Sequence, residues 1–375
     1  MRLPQSVPLD HLMNHIQSIE VRHLDLPLIK PYVLSYRTFE SFEPYLVTIT
    51  TDSGQIAFGE QHISPGSSSE TREGGWSFLT SSAADMIGLD IIDAFEQIAD
   101  KRSDSPVAAG ALLNALDQLK APGYWTPKDN LRIPVLTAFS ANTRDEIENE
   151  LNEKLKLGFR TFKIKVGKDV TADKERVRVI QDTLGDRGTI RVDANRAYSM
   201  HDAIELSRVL DPKVCELFEQ PCDTYDWEGN GGVAKASPVP LMLDEPICSI
   251  ADIERASTMP GVGFCKVKLK RFGSVSALCE AIERAHELGL QIVLGDGLGS
   301  DINCYLEALV SEKYLTRAGE FNGCFKIQDG ARILKPHLKF EDGHMVLKQS
   351  EPLVLNQQVI NTQTVRAEAY GNSEN

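Results

Sequence analysis

From about residue 133 the chain repeats a pattern of strand, loop and helix roughly every 25 residues. No other feature limits the possible folds as much. Pro134-Val135-Leu136-Thr137 is strand-like, and Thr161–Val166 and Thr189–Asp193 follow. Further strands are expected at 214–219, 240–244, 262–268, 291–295 and 315–321. Helices are expected between them: one opened by Thr143 with Glu146 as a capping box, one capped at Thr171, and one opened by Ser199 with Asp202. Others should span 249–257, 274–289 and 301–311, whereas the Gly-rich connection 223–237 gives no clear helix. Strands that alternate with helices imply a parallel sheet. Eight such units close most naturally into a (β/α)-barrel. The rival, a doubly wound sheet, would place Gly-x-Gly-x-x-Gly after its first strand, and that motif is missing.

The N-terminal third reads differently. Residues 17–62 alternate like antiparallel strands, with a turn at Asp52-Ser53-Gly54, and 68–120 look helical. The α/β chain thus divides into an α+β domain over 1–130 and a barrel over 131–330. The segment 331–375, which drops the repeat, is expected to pack back on the first domain. The net charge of −14 argues against nucleic acid as a partner, because a phosphate-backbone binder needs a basic face. The seven scattered cysteines form no CxxC pair, so reduced thiols in a cytoplasmic protein are expected. Asp10, His11 and His15 interrupt the N-terminus, so no signal peptide is expected. No apolar run approaches the ~18 residues that a membrane span needs.

In a barrel, reactive groups stand at the C-terminal ends of strands. Here the second strand ends Lys163-Ile164-Lys165, the third Asp193-Ala194-Asn195, the fourth Glu219-Gln220-Pro221, the fifth Asp244-Glu245-Pro246 and the sixth Lys266-Val267-Lys268. Asp193 and Glu219 are 26 residues apart, and Glu219 and Asp244 are 25 apart, one repeat in each case. The three carboxylates should therefore face one spot, where only a cation lets them all stay ionised. Hard oxygen ligands with places left for water or substrate suit Mg²⁺.

The lysines flank these acids on both sides. Strand period is two, so Lys163 and Lys165 share a face. Lysine is a poor base at its ordinary pKa of about 10.4. Beside a divalent cation and another lysine its pKa should fall, and Lys163 would act in this way on Lys165. Lys268 lies across the barrel mouth from Lys165, so one base could remove a proton from one face of a carbon and the other return it to the opposite face. Lys266-x-Lys268-x-Lys270 taken alone could be a solvated edge.

The series Lys-x-Lys, Asp-x-Asn, Glu-Gln-Pro, Asp-Glu and Lys-x-x-x-x-Gly (Lys268 to Gly273) resembles the enolase superfamily, and within it the muconate-lactonizing-enzyme subgroup of the mandelate racemase/muconate lactonizing enzyme family. Asp52-Ser53-Gly54 and Gly59-Glu60 extend the resemblance loosely into the N-terminal domain. The resemblance implies a modified TIM (β/α)-barrel with an N-terminal α+β capping domain. It implies Mg²⁺ held by Asp193, Glu219 and Asp244, with Lys165 and Lys268 as the acid/base pair and Lys163 stabilising an enolate. A homo-oligomer is also expected. The Asp–His pair of mandelate-racemase-like sites is missing: the sixth strand carries Lys268 and the seventh ends Leu294-Gly295-Asp296-Gly297.

The substrate is less legible. Dipeptide epimerases of this subgroup carry Asp-x-Asp at the end of the eighth strand, where this chain has Glu320-Phe321-Asn322. Glu320 and Asn322, with Asp296 nearby, are the expected substrate-binding residues, for a small carboxylate bearing a nitrogen group. Alternatively, Glu320 orients a lysine. The expected reaction is racemisation or epimerisation of an amino-acid derivative or dipeptide. Muconate-type cycloisomerisation or dehydration of a carboxylate is the alternative, and a barrel that binds a ligand without catalysis is more remote. By the same resemblance, Tyr32–Thr38 and Gln61–Ser69 sit where specificity loops would lie, with His62, Ser64, Ser67–Ser69 and Arg37 as candidate contacts and a polar lid that contacts nothing specific as the alternative.

Overall fold

The computed structural model describes residues 14–33, 37–65, 69–125, 130–295, 297–347 and 354–371. The strands Ile16–Leu24, Tyr45–Thr51 and Ile56–Gln61 pair antiparallel. The turn between the last two is closed by Gly54 N–H donating to the Thr51 carbonyl at 2.9 Å, with Gly54 at φ +80°, a conformation that favours glycine. Alternation places Val21, Val47 and Ile49 on the inner face, against the helices Arg72–Met86, Ile91–Asp100 and Pro106–Lys120. The strand Thr364–Gly371 adds to the edge beside Ile16–Leu24. An earlier part of the same C-terminal segment, His344–Leu347, pairs instead with Leu131–Pro134 at the entry to the barrel.

The repeat forms a curled parallel sheet with strands in sequence order: Thr137–Phe139, Thr161–Lys165, Thr189–Asp193, Cys215–Glu219, Leu241–Leu243, Val262–Val267 and Gln291–Leu294. The fold is a (β/α)-barrel with an N-terminal α+β capping domain, as the sequence implies. Its first strand falls later than expected, at Thr137–Phe139, because Leu131–Pro134 is taken up by His344–Leu347. The eighth position is not a ladder strand. Residues 319–320 close the barrel through a parallel Val135–Gly319 bridge and a bond from Glu320 N–H to the Leu294 carbonyl at 2.9 Å.

The intervening helices follow closely. Trp227–Ala236 is a helix despite its glycines, with Asp226 accepting from Gly229 N–H. The helix Val170–Leu184 is capped by Asp169 rather than Thr171, and the Asp169 side chain accepts from Ala172 N–H. An Asp two positions earlier wins because its carboxylate reaches the amides of the first turn.

The two domains are joined at helix ends. On the helix Pro106–Lys120, Asp117 accepts from Ser276 N–H at 2.9 Å, at the start of the barrel helix Val275–Glu287. Glu60, on a capping-domain strand, accepts from Ser300 and Asn303 N–H at 2.8 and 3.2 Å, at the start of Asp301–Tyr314. Each acid satisfies orphan amides and lies at the positive end of a helix dipole. Burial pushes the Glu60 carboxyl up to about 7. No described helix is long and apolar enough to cross a membrane.

Candidate active site

Strand register brings the acids and lysines together. Lys165 lies opposite Asp193, and Asp193 lies opposite Glu219, so three successive strands contribute one row. Asp244 follows two residues after Met242, which extends that row, and its N–H is held by the Gln220 side chain at 2.9 Å. All three carboxylates are buried. Above them a cavity of about 760 Å³ opens between the barrel mouth and the capping domain.

The ion pairs are layered. Lys163 Nζ lies 2.9 Å from Asp193, 3.0 Å from Glu219 and 2.9 Å from Glu320. Lys266 contacts Glu320 and lies 3.5 Å from Glu219. Nearer the cavity, Lys165 meets Asp193 at 2.5 Å and also the Asn195 side chain. Lys268 meets Asp244 at 3.0 Å, and Arg271 meets the same carboxylate at 2.9 Å. Lys165 and Lys268 stand on strands four places apart, with the three acid-bearing strands between them.

Burial opposes the charge on Lys163. The four carboxylates of Asp193, Glu219, Glu320 and Asp244 outweigh it and hold this ammonium well above its ordinary range. Burial likewise opposes the Asp193 charge, but Lys163 and Lys165 keep that carboxyl low. Lys268 and Arg271 do the same, more strongly, for Asp244. Glu219 moves the other way, raised by burial and by the negative charge of Asp193. Beside Asp244, burial pushes Glu245 up to about 7.

The residues expected at the substrate end are placed unevenly. The Glu320 carboxylate is turned down to Lys163 and Lys266. The Asn322 side chain donates to the Leu136 carbonyl at 3.2 Å and accepts from Lys326 at 2.8 Å. Asp296, Ser67 and Ser68 lie outside the described residues, as do 34–36 within the first loop. Tyr32 and Ser69 line the cavity. His62 is buried edge-on to Phe39 and Phe42, and Arg37 stacks over Phe39.

Residues 146–352 match the family described as enolase C-terminal domain-like. The chain belongs to the enolase superfamily. An L-Ala-D/L-Glu epimerase from Clostridium acetobutylicum is 29% identical over 79% of this chain and 84% of that protein. Among solved structures, muconate lactonizing enzyme from Pseudomonas fluorescens, complexed with muconolactone, superposes with a TM-score of 0.81 at 22% identity, over 94% of this chain and 100% of that one. A dipeptide epimerase from Cytophaga hutchinsonii, complexed with Mg and D-Ala-L-Val, gives 0.81 at 19% identity, over 95% and 99%. The named relatives are enzymes, and this chain is an enzyme of the same superfamily.

Lysine ammonium groups stand between the acids in this superfamily barrel. Among the described residues no three His, Cys, Asp or Glu side chains are drawn into a ready ligand cage. The donor set nevertheless fits a hard divalent cation. Three carboxylates end three successive strands, and Glu219 Oε2 and Asp244 Oδ1 are buried oxygens that meet their cations as ion pairs without a well-aligned hydrogen bond. Two participants were less visible in the sequence. Lys266 reads as a solvated edge until it is seen that it precedes Lys268 by two residues, as Lys163 precedes Lys165. Arg271 lies beyond the strand end, where alternation no longer says which way a side chain points.

Proposed function

We propose that this enzyme removes the proton next to a substrate carboxylate, forming an enolate, and returns a proton to the opposite face. It would thereby racemise or epimerise an amino-acid derivative or a dipeptide. The observation that carries this reading is the placement of Lys165 and Lys268 on either side of the acid row, each in contact with a different carboxylate of that row. Asp193, Glu219 and Asp244 would hold Mg²⁺, which supplies electrostatic neutralisation of the substrate carboxylate and of the charge that develops on it.

The chain's own residues then do the following. One outer lysine, as the neutral amine, takes the α-proton and becomes an ammonium. The other, already an ammonium, gives its proton to the opposite face and becomes the amine. Proton count and charge are conserved across the pair. Lys163, held cationic by its acids, faces the charge that builds on the substrate oxygens. Glu320 is engaged by two lysines, so the substrate nitrogen is better read as an amide than as a charged ammonium. The relatives named as acting on dipeptides support the same class.

Incubation of optically pure dipeptides and N-acyl amino acids with the protein, in Mg²⁺ or in chelator, tests the proposal by chiral chromatography. Loss of optical purity in Mg²⁺ alone is expected. Retention of optical purity throughout, with consumption of a muconate or a hydroxy acid, would replace it by cycloisomerisation or dehydration.

A further inference from the structure

Six cations that line the cavity pair with acids. Lys163, Lys165, Lys266, Lys268 and Arg271 pair as described above, and Arg196 lies 3.3 Å from Glu245. Arg102 is different. It comes from the capping domain, in the short turn Arg102–Asp104 between two helices, and it lines the same cavity. Among the described residues no carboxylate forms an ion pair with it. Its Nη2 donates to the backbone carbonyl of Arg271, and its buried Nε has no acceptor. Burial lowers its pKa from the ordinary arginine value, the signature of a cation stripped of water.

The neighbours of Arg102 compensate it only in part: Cys248 and Glu70 favour its charge, but less than burial opposes it. The Glu70 carboxylate accepts from Ser105 Oγ at 2.7 Å and Val107 N–H at 2.9 Å, which commits it to the start of Pro106–Lys120. Burial raises the pKa of the Cys248 thiol, so it stays neutral. Asp100 also lines the cavity without pairing with Arg102. The arginine is nonetheless held in place. A Cβ added at Gly273, at φ +86°, would come within 2.7 Å of Arg102 Nε, so the Lys268–Gly273 turn leaves room for this side chain only because position 273 is glycine. A positioned, desolvated guanidinium that lacks a carboxylate, set in a substrate-sized cavity next to the Lys268 turn, is a receptor for an anion.

We infer that Arg102 binds a second carboxylate of the substrate, remote from the one that faces Asp193, Glu219 and Asp244, and so selects dicarboxylate amides. This rests on the carbon-acid reading above and goes further by naming the substrate class and a specificity residue outside the barrel.

The experiment uses the full chain with Mg²⁺ and two matched pairs of probes. One pair is a dipeptide ending in Glu against the same dipeptide ending in Gln. The other is an N-succinyl amino acid against its N-succinamoyl form. Each is followed by proton exchange and, separately, by thermal shift on binding. In at least one pair the wild type should favour the dicarboxylate by about 10- to 100-fold, mainly in KM, the range expected for a hydrogen-bonded charge. Arg102→Gln should abolish that preference while changing kcat/KM for the carboxamide less than about threefold. Arg102→Lys should retain part of the preference and shows that the position tolerates change. No preference in the wild type, or equal loss on both members of a pair in Arg102→Gln, would overturn the inference and leave Arg102 a clamp on the Arg271 turn. If no probe exchanges a proton but the dicarboxylates still stabilise the wild type and not Arg102→Gln, the carbon-acid reading falls and the role of Arg102 stands.

Discussion

Two lysine pairs face each other across the barrel, and within each pair the inner and outer members live in different surroundings. Lys163 and Lys266 are only 4% and 1% exposed, and both hold Glu320 and Glu219. Lys165 and Lys268 stand one pleat further out, with side chains 46% and 12% exposed, and each pairs with an acid of the row. The spacing Lys-x-Lys is the same on both strands. Depth changes what the ammonium meets: the inner pair balances buried carboxylates, while the outer pair is the more exposed one, which the proposed reaction needs for proton exchange with a substrate. A buried charge without its partner is strongly destabilising, whereas a lysine at a cavity wall can be lost with little effect on folding.

The sharpest way to break this comparison is to remove an outer lysine. Lys165→Met or Lys268→Met should lower racemisation by on the order of 10²- to 10⁴-fold, the range for a lost general acid or base, with a smaller loss of stability than at the inner pair, because Lys163 still holds Asp193 and Arg271 still holds Asp244. Each variant should also lose α-proton exchange from one enantiomer more than from the other, which proton exchange on separated enantiomers measures. Equal loss on both would mean that the two lysines do not divide the faces.

The inner pair should behave in the opposite way. Glu320→Gln removes the carboxylate that Lys163 and Lys266 share. It should lower unfolding free energy by roughly 3–5 kcal/mol, the range for breaking a buried ion pair, as read by denaturant titration. Its activity should fall alike toward amine-bearing and amine-free substrates. Loss confined to amine-bearing substrates would show that Glu320 contacts the substrate nitrogen.

A third test contrasts Glu320, compensated by lysines, with Glu60, held among the described residues by amide and hydroxyl donors at a helix end. Burial raises Glu60 to about 7 from 4.5, so the folded protein binds more protons than the unfolded chain between those values. Stability from this group therefore falls as pH rises through that window and levels off above it, by on the order of 3 kcal/mol. Glu60→Gln should flatten the stability profile there; an unchanged slope would remove Glu60 as its source. The smallest effect is expected at Asp117. Asp117→Asn weakens the cap on Val275–Glu287 and should cost about 1 kcal/mol, with no change in kcat.

The barrel and its acid row were legible because each rests on a short-range regularity. A repeat of one βα unit puts Asp193, Glu219 and Asp244 at equivalent strand ends, and a period of two puts Lys163 beside Lys165. What was not legible depends on long-range packing. The first barrel strand shifts because a segment some 200 residues later captures Leu131–Pro134. Glu320 turns toward lysines because the inner ring offers it two, a fact that the local sequence Gly319–Gly323 does not contain. Arg102 reaches the cavity through domain docking, and nothing around Ser103 and Asp104 signals a ligand.

The central claim is that this site makes a carbanion beside a carboxylate. Proton NMR in D₂O, with Mg²⁺ and a mixed set of dipeptides, N-acyl amino acids and hydroxy acids, tests it most directly. The account predicts deuterium uptake at the α-carbon of an amide-bearing carboxylate, abolished in the double variant Lys165→Met, Lys268→Met. Uptake that survives in that double variant, or none in any compound when Mg²⁺ is shown to bind, would contradict it.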